Sequence, residues 1–315
     1  MTESLGRIPY RELELKTSAE GVRIVTGPFI TRLQTGLSEV IENVARLYSD
    51  HQLDLDDGFA DFHLKLIQPN SIRRWYRPQV NFSFDGLTPF KPLPLQQAYA
   101  IFEWGLNWCI SNYANNYLAI HSAVVEKNGQ AIILPGVPGA GKSTLCAALA
   151  LSGWRLFSDE MALLEPDSGQ LVSNPRPISL KNESIQVIRN FSSDAVFGTT
   201  IRDTTKGTVA HLKPPEASVL RCNEKATPTR IIFLTFKKGA KASLTPVTRS
   251  RAFMTLCDNA FNYSIRGKTG CDRVRTLIDN CECHLFEYSN LEQALAIFDQ
   301  LAENGNAEAR ELACS

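Results

Sequence analysis

Nine consecutive residues, Gly136, Val137, Pro138, Gly139, Ala140, Gly141, Lys142, Ser143 and Thr144, carry the spacing G-x-x-x-x-G-K-S. Each residue type answers a need of phosphate binding. Glycines let backbone N–H groups turn toward an anion with no Cβ in the way. Lys142 adds a point charge for the outer phosphates of a nucleoside triphosphate, and the Ser143 hydroxyl is a ligand for Mg2+. Asp159 and Glu160 follow as adjacent carboxylates, able to take the proton of an attacking hydroxyl or to hold the metal through water. His121 precedes the loop; as residue types go it is either a satisfied structural histidine or a group beside the phosphates, and both stay open. Arg176, Lys181, Lys206, His211 and Lys213 form a loose basic series. They lie in two proline-punctuated segments, 175–183 and 206–215, expected to be loops. Such loops bring cations to a transferred phosphate, although lysines and arginines are also common solvated surface residues. Cys281, Cys283 and His284 lack the second ligand pair of a structural zinc site, and their alternation suits a strand.

The neighbouring sequence suits these roles. Gln130 to Leu134 is a short apolar run of strand type, and Ser143 to Leu151 is a good helix former, so the loop opens a helix with its positive end toward the anion. Residues 153–158 read as the next strand and end directly on Asp159. Met161 to Leu164, a turn at Pro166–Gly169, and Leu171 with Val172 then read as a hairpin, where α/β nucleotidases ordinarily continue to alternate strand and helix. Arg230 to Phe236 is a core strand, and Ala252–Tyr263 and Leu291–Leu301 are helices. Further upstream, Leu37–Tyr48 reads as a helix. Ala60, Phe62, Leu64 and Leu66 alternate with polar residues, as do Val80, Phe82 and Phe84 before a turn at Asp85 and Gly86. Pro89, Pro92 and Pro94 mark a boundary. The expected organisation is an N-terminal α+β domain over 1–94, a bridging helix over 95–118, a phosphate-loop domain over 119–300 and a tail over 301–315. The bridging helix is expected to be amphipathic, with Tyr99, Phe102, Leu106, Cys109, Ile110 and Tyr113 on one face.

Composition bounds the function from outside. At 43% hydrophobic and 21% charged, 315 residues suit roughly two globular domains. Thirty-three basic residues balance thirty-three acidic ones, so no global charge draws the chain to nucleic acid or membrane. No apolar run approaches a membrane span. The first twenty residues lack an apolar export core, so the eight cysteines are expected to be reduced thiols in the cytoplasm. Guanine specificity is not expected, for want of an Asn-Lys-x-Asp motif, and transporter-type ATPases are excluded by the lack of their glycine-rich signature.

His121, the loop from Gly136 to Thr144, and the run from Arg155 to Glu160 together resemble the C-terminal domain of HPr kinase/phosphorylase. The chain is most similar to the HprK-related kinase A group, through the stretches 103–110, 153–160, 176–182 and 206–212. The fold this resemblance implies is α/β: a P-loop, mixed-sheet kinase core of the HPr kinase/phosphoenolpyruvate carboxykinase type, preceded by a smaller α+β domain. The activity it implies is ATP-dependent phosphorylation of a serine in a peptide or small protein, with Mg2+. Asp159 matches the family's catalytic base, Lys142 its phosphate-binding lysine, Ser143 a metal ligand and His121 the active-site histidine. Glu160 stands where the HPr enzymes have a second aspartate and is a further metal ligand. Glu183 is one candidate for their downstream metal-ligand glutamate. Lys213 alone keeps basic character where they carry their dephosphorylation motif, so the reverse reaction is not expected. The related group is placed beside small PqqD-like peptide-binding proteins, which implies a peptide or small-protein acceptor. The residues themselves leave open a small-molecule or carbohydrate kinase, a regulatory module that binds nucleotide without transfer, and the oligomeric state.

Overall fold

A computed structural model describes residues 2–55, 58–136 and 139–313. Its backbone divides into two compact units with interleaved segments. One is built from Met1–Tyr113, Arg176–Arg189 and Ser193–Leu220, the other from Ala114–Pro175, Asn190–Ser192 and Arg221–Ser315. The protein is mixed α/β.

The first unit opens with β1 (Thr2–Ser4), α1 (Tyr10–Ala19), β2 (Val22–Thr26), β3 (Phe29–Thr35), α2 (Ser38–Leu47), β4 (Gln52–Asp54), β5 (Phe62–Ile67), β6 (Gln79–Phe84), β7 (Leu93–Pro94) and α3 (Ala98–Tyr113). The strands form one sheet in the order β1-β4-β2-β3-β5-β6-β7. Strict alternation makes this sheet legible: Phe62, Leu64 and Leu66 of β5 are buried while His63, Lys65 and Ile67 are exposed. The long helix differs from its expected form. It ends at Tyr113, and burial runs round its circumference from Ala98 to Phe102 and on to Ile110, leaving Tyr113 49% exposed. Gly105 is what lets it lie so close to the sheet, since a Cβ there would collide with the Phe82 ring.

The second unit follows with β8 (Leu118–Lys127), β9 (Gln130–Pro135), α4 (Lys142–Leu151), β10 (Arg155–Ser158), β11 (Met161–Leu164) and β12 (Leu171–Val172). The chain then supplies β13 (Ile178–Lys181), α5 (Glu183–Phe191), β14 (Ile201–Thr204), β15 (Gly207–Leu212) and α6 (Glu216–Leu220). The two segments expected as loops are therefore largely strands. β13 and β15 pair antiparallel, Ile178 opposite Leu212, in a three-stranded sheet β13-β15-β14. The prolines bracket these strands without interrupting them, and burial of Ile178, Leu180, Val209 and Leu212 supplies the core they need.

The second unit closes with β16 (Pro228–Phe236), β17 (Ser243–Pro246), α7 (Arg249–Asn259), α8 (Tyr263–Asp279), β18 (Glu282–Tyr288) and α9 (Leu291–Ala313). Its sheet runs β12-β11-β8-β9-β16-β18-β17, with β10 also beside β8. β9, β16 and β18 are parallel, and β8 and β17 antiparallel to their neighbours. Ile120, Val124, Ile133 and Ile231 pack with Leu256 of α7 and Val274 of α8. The helix expected over Ala252–Tyr263 breaks before α8 because Ala260 bridges Ile120 and the Phe261 N–H bonds to Ala119 O at 2.9 Å. The segment after Leu301 continues as helix to Ala313. Among the described residues no helix is long and apolar enough to cross a membrane.

Candidate phosphate-loop site

β9 delivers the loop. It ends at Pro135, whose register partner is Ser122 of β8, so the chain leaves the sheet at Gly136, level with His121. The loop re-enters regular structure at Gly141, the N-cap of α4, with φ 85°. Gly139 also has positive φ, 90°. These are the conformations for which glycine is required. Gly141 has a second reason: a Cβ would strike the Tyr288 hydroxyl, which donates a hydrogen bond to Gly141 O at 3.1 Å. Burial pushes the Tyr288 phenol up, so it keeps that proton. The first N–H groups of a helix have no acceptor within it and carry the positive end of its dipole, which suits an anion. Gly136 and Ala140 are buried, Gly139 is exposed, and Ser143 and Thr144 are half-buried in the first turn of α4. Val137 and Pro138 lie outside the described residues.

The reactive side chains arrive from the other side of β9. β10 and β11 pair with the same edge of β8, β10 over Val124–Glu126 and β11 over Leu118–His121. Asp159 and Glu160 occupy the bend between them. Ser158 Oγ fixes that bend by accepting the N–H groups of Glu160 and Met161 at 3.2 and 3.0 Å, and the Ser122 N–H donates to Glu160 O at 3.2 Å. The result is a line of three groups. Lys142 Nζ lies 2.8 Å from His121 Nε2, and His121 Nδ1 lies 3.8 Å from Glu160 Oε2. An ammonium has only donors, so Nε2 accepts and the ring proton resides on Nδ1, facing the carboxylate. Lys142 is 9% and Asp159 4% exposed, burial unusual for either type away from a site of function or pairing. Burial, with the Asp159 charge adding to it, holds the Cys146 thiol well above its ordinary range, and Cys146 Sγ lies 4.0 Å from Ser158 O, which sets the end of β10 against the buried face of α4.

Hydroxyl and carboxylate oxygens from Ser143, Asp159 and Glu160 are the hard donors Mg2+ selects. Among the described residues no cluster of three His, Cys, Asp or Glu is arranged to hold a metal. A triphosphate-borne Mg2+ needs only one or two protein carboxylates, so the donor set fits it.

The basic series belongs to the first unit. Lys213 belongs to the first unit, where its ammonium pairs with Asp50 Oδ2 at 2.8 Å. Arg176 is bound there by Glu103 Oε2 at 2.6 Å and Asn107 Oδ1 at 2.7 Å. His211 is 1% exposed with its ring centroid 5.2 Å from that of Tyr99, and Lys206 lies 4.8 Å from the Trp104 ring centroid. Lys181 is half-buried at the end of β13, and Glu183 is the exposed first residue of α5. Cys281 and Cys283 flank and enter β18, and burial pushes the Cys281 thiol up to about 12, the reverse of a thiolate ligand. Tyr288, Phe236 and Phe261 border the loop site and carried no signal in the sequence beyond ordinary strand and helix patterning. Phe261 lies edge-on to His121 at 5.6 Å.

Neither a protein-family model nor a curated protein matches this chain. Among solved structures, the Hpr(Ser) kinase/phosphatase from Coxiella burnetii is similar at 12% identity, over 61% of this chain and 98% of that one, with a TM-score of 0.29. At that score nothing is carried from it to this chain.

Proposed function

We propose that this chain is a cytoplasmic ATP-dependent phosphotransferase that moves the γ-phosphoryl group to a serine hydroxyl of a peptide or small protein. One observation supports this above the others: the Lys142–His121–Glu160 line, at 2.8 and 3.8 Å, standing beside buried Asp159 at the mouth of a glycine loop that caps α4. The acceptor class, including partnership with a PqqD-like peptide-binding protein, follows the sequence resemblance.

In the reaction the loop and the N-terminus of α4 hold the phosphates, and Lys142 supplies positive charge to the outer ones. Asp159 accepts the acceptor hydroxyl's proton. The hydroxyl oxygen bonds to the γ-phosphorus as the bond to the β,γ-bridging oxygen breaks, and ADP leaves. His121 keeps Lys142 aimed at the transferred group, and Glu160 keeps the imidazole proton on Nδ1. Ser143, with Asp159 and Glu160, would hold Mg2+, which would supply positive charge against the negative charge that develops on the phosphates.

A lysate treated with the protein, Mg2+ and γ-labelled ATP tests the proposal, with Asp159→Asn as control. A labelled polypeptide in the wild type and none in the variant, at nucleotide affinity within several-fold, is the expected result. Label in a small solute would replace the acceptor class with a metabolite or carbohydrate. No transfer despite ATP binding would make the chain a nucleotide-responsive module, and transfer surviving in Asp159→Asn would remove Asp159 as the base.

A further inference from the structure

The geometry points to Phe236 as the stacking platform for the nucleobase of the bound triphosphate. This rests on the phosphate-loop assignment above and extends it to the other end of the nucleotide.

The direction of the nucleotide comes from the order of strands. β9, which delivers the loop, has β8 on one side and β16 on the other. His121 and the Asp159–Glu160 bend are on the β8 side. The γ-phosphate belongs beside those groups, and the nucleoside, at the opposite end of the triphosphate, extends toward β16. In parallel sheets ligands bind beyond the carboxyl ends of the strands. Phe236 is the last residue of β16. Its Cβ lies 3.3 Å from the position a Gly141 Cβ would take, so the ring starts directly against the loop.

Phe236 is also built as a platform. It is 49% exposed, yet it is the outermost ring of a packed series. Tyr288 meets it edge-on, centroids 5.6 Å apart and planes at 78°. Phe286 stacks on Tyr288 at 5.3 Å and 12°, and Phe298 of α9 meets Phe286 at 5.6 Å and 75°. Tyr288, Phe286 and Phe298 are fully buried. The backbone beyond Phe236 is held as well: the Lys237 N–H donates to Tyr288 O at 2.9 Å, the Ala240 N–H to Lys237 O at 3.0 Å, and Ser289 Oγ to Ala240 O at 2.7 Å. An exposed aromatic face fixed in this way meets a base with little loss of side-chain freedom, and base–aromatic stacking is tolerant of base identity.

The test compares ATP with inorganic tripolyphosphate, which has the phosphates and no base, by calorimetric titration of the full chain with Mg2+. Wild type is expected to bind both, ATP more tightly. Phe236→Ala is expected to weaken ATP about tenfold and leave tripolyphosphate unchanged, and Phe236→Trp to restore ATP affinity. If Phe236→Ala weakened both ligands alike, or neither, the platform would be wrong while the loop assignment stood. If wild type bound neither ligand, the loop assignment would fall and the platform with it.

Discussion

At the scale of single residues, the site is organised around buried charge. Lys142 is almost wholly buried, and its ammonium meets His121 Nε2 at 2.8 Å. A buried ammonium that faces a bound triphosphate makes charge-assisted hydrogen bonds to it. Lys142→Met is therefore expected to reduce ATP affinity by roughly ten- to a hundredfold, the range of one charge-assisted hydrogen bond. Tripolyphosphate should lose as much as ATP, since the lysine addresses phosphate alone. Titration of both ligands checks this, and an affinity unchanged in the variant would remove Lys142 from the binding machinery. Lys142→Arg is not expected to rescue, because a guanidinium fork does not fit the position of an ammonium 2.8 Å from His121 Nε2.

At the scale of elements, the junction between β9 and α4 is where local backbone and distant packing coincide. Gly141 adopts φ 85°, and the space its Cβ would need is taken by Tyr288 from β18. Gly141→Ala therefore faces two obstacles, left-handed strain of about 1–2 kcal/mol and a collision with the phenol oxygen. Tripolyphosphate affinity should fall at least tenfold in Gly141→Ala, and Gly141→Ala/Tyr288→Phe should recover part of it by removing that oxygen. A double variant no better than the single one would show that the collision is not the cause. The strain was legible in the sequence, since the motif itself demands glycine there; the collision was not, because Tyr288 lies far along the chain. The same division holds elsewhere. β5, β6, β9 and β16 announce themselves by alternation or a continuous apolar run, and α4 by composition. β13 and β15 did not, because they are short, flanked by proline, and made strands chiefly by pairing with each other. His121, Asp159 and Glu160 were visible as residue types, but their meeting depends on β10 and β11 sharing one edge of β8, a matter of register.

At the scale of the whole molecule, the chain's order in sequence is not its order in space. Residues 119–300 read as one continuous domain, whereas Arg176–Arg189 and Ser193–Leu220 pack with the N-terminal unit. Composition marks linkers between contiguous stretches and has no means of marking a segment that returns. The returning segment is tied in by a buried ionic cluster: Arg176 binds Glu103, whose other oxygen accepts the hydroxyls of Tyr48 and Tyr99 at 2.8 and 2.6 Å. Burial acts to raise the Glu103 carboxyl, but Arg176, His211 and the hydrogen bonds outweigh it, and the net displacement is downward. A carboxyl with a lower pKa in the folded state than in the unfolded chain binds fewer protons when folded. Its contribution to stability is therefore complete above the ordinary glutamate pKa of about 4.3, and is lost as pH falls through that value toward the folded one. Urea unfolding followed from pH 7 down to pH 3 should show stability falling below about 4.3, with a shallower fall in Glu103→Gln, which has no proton to take up. Arg176→Met, which strands the buried carboxylate, should cost about 3–5 kcal/mol at neutral pH. It should cost less as the solution is acidified, because protonation of Glu103 relieves the unpaired charge. An Arg176→Met penalty equal at pH 7 and pH 4 would mean that the arginine acts by its volume alone, and that charge does not hold the returning segment in place.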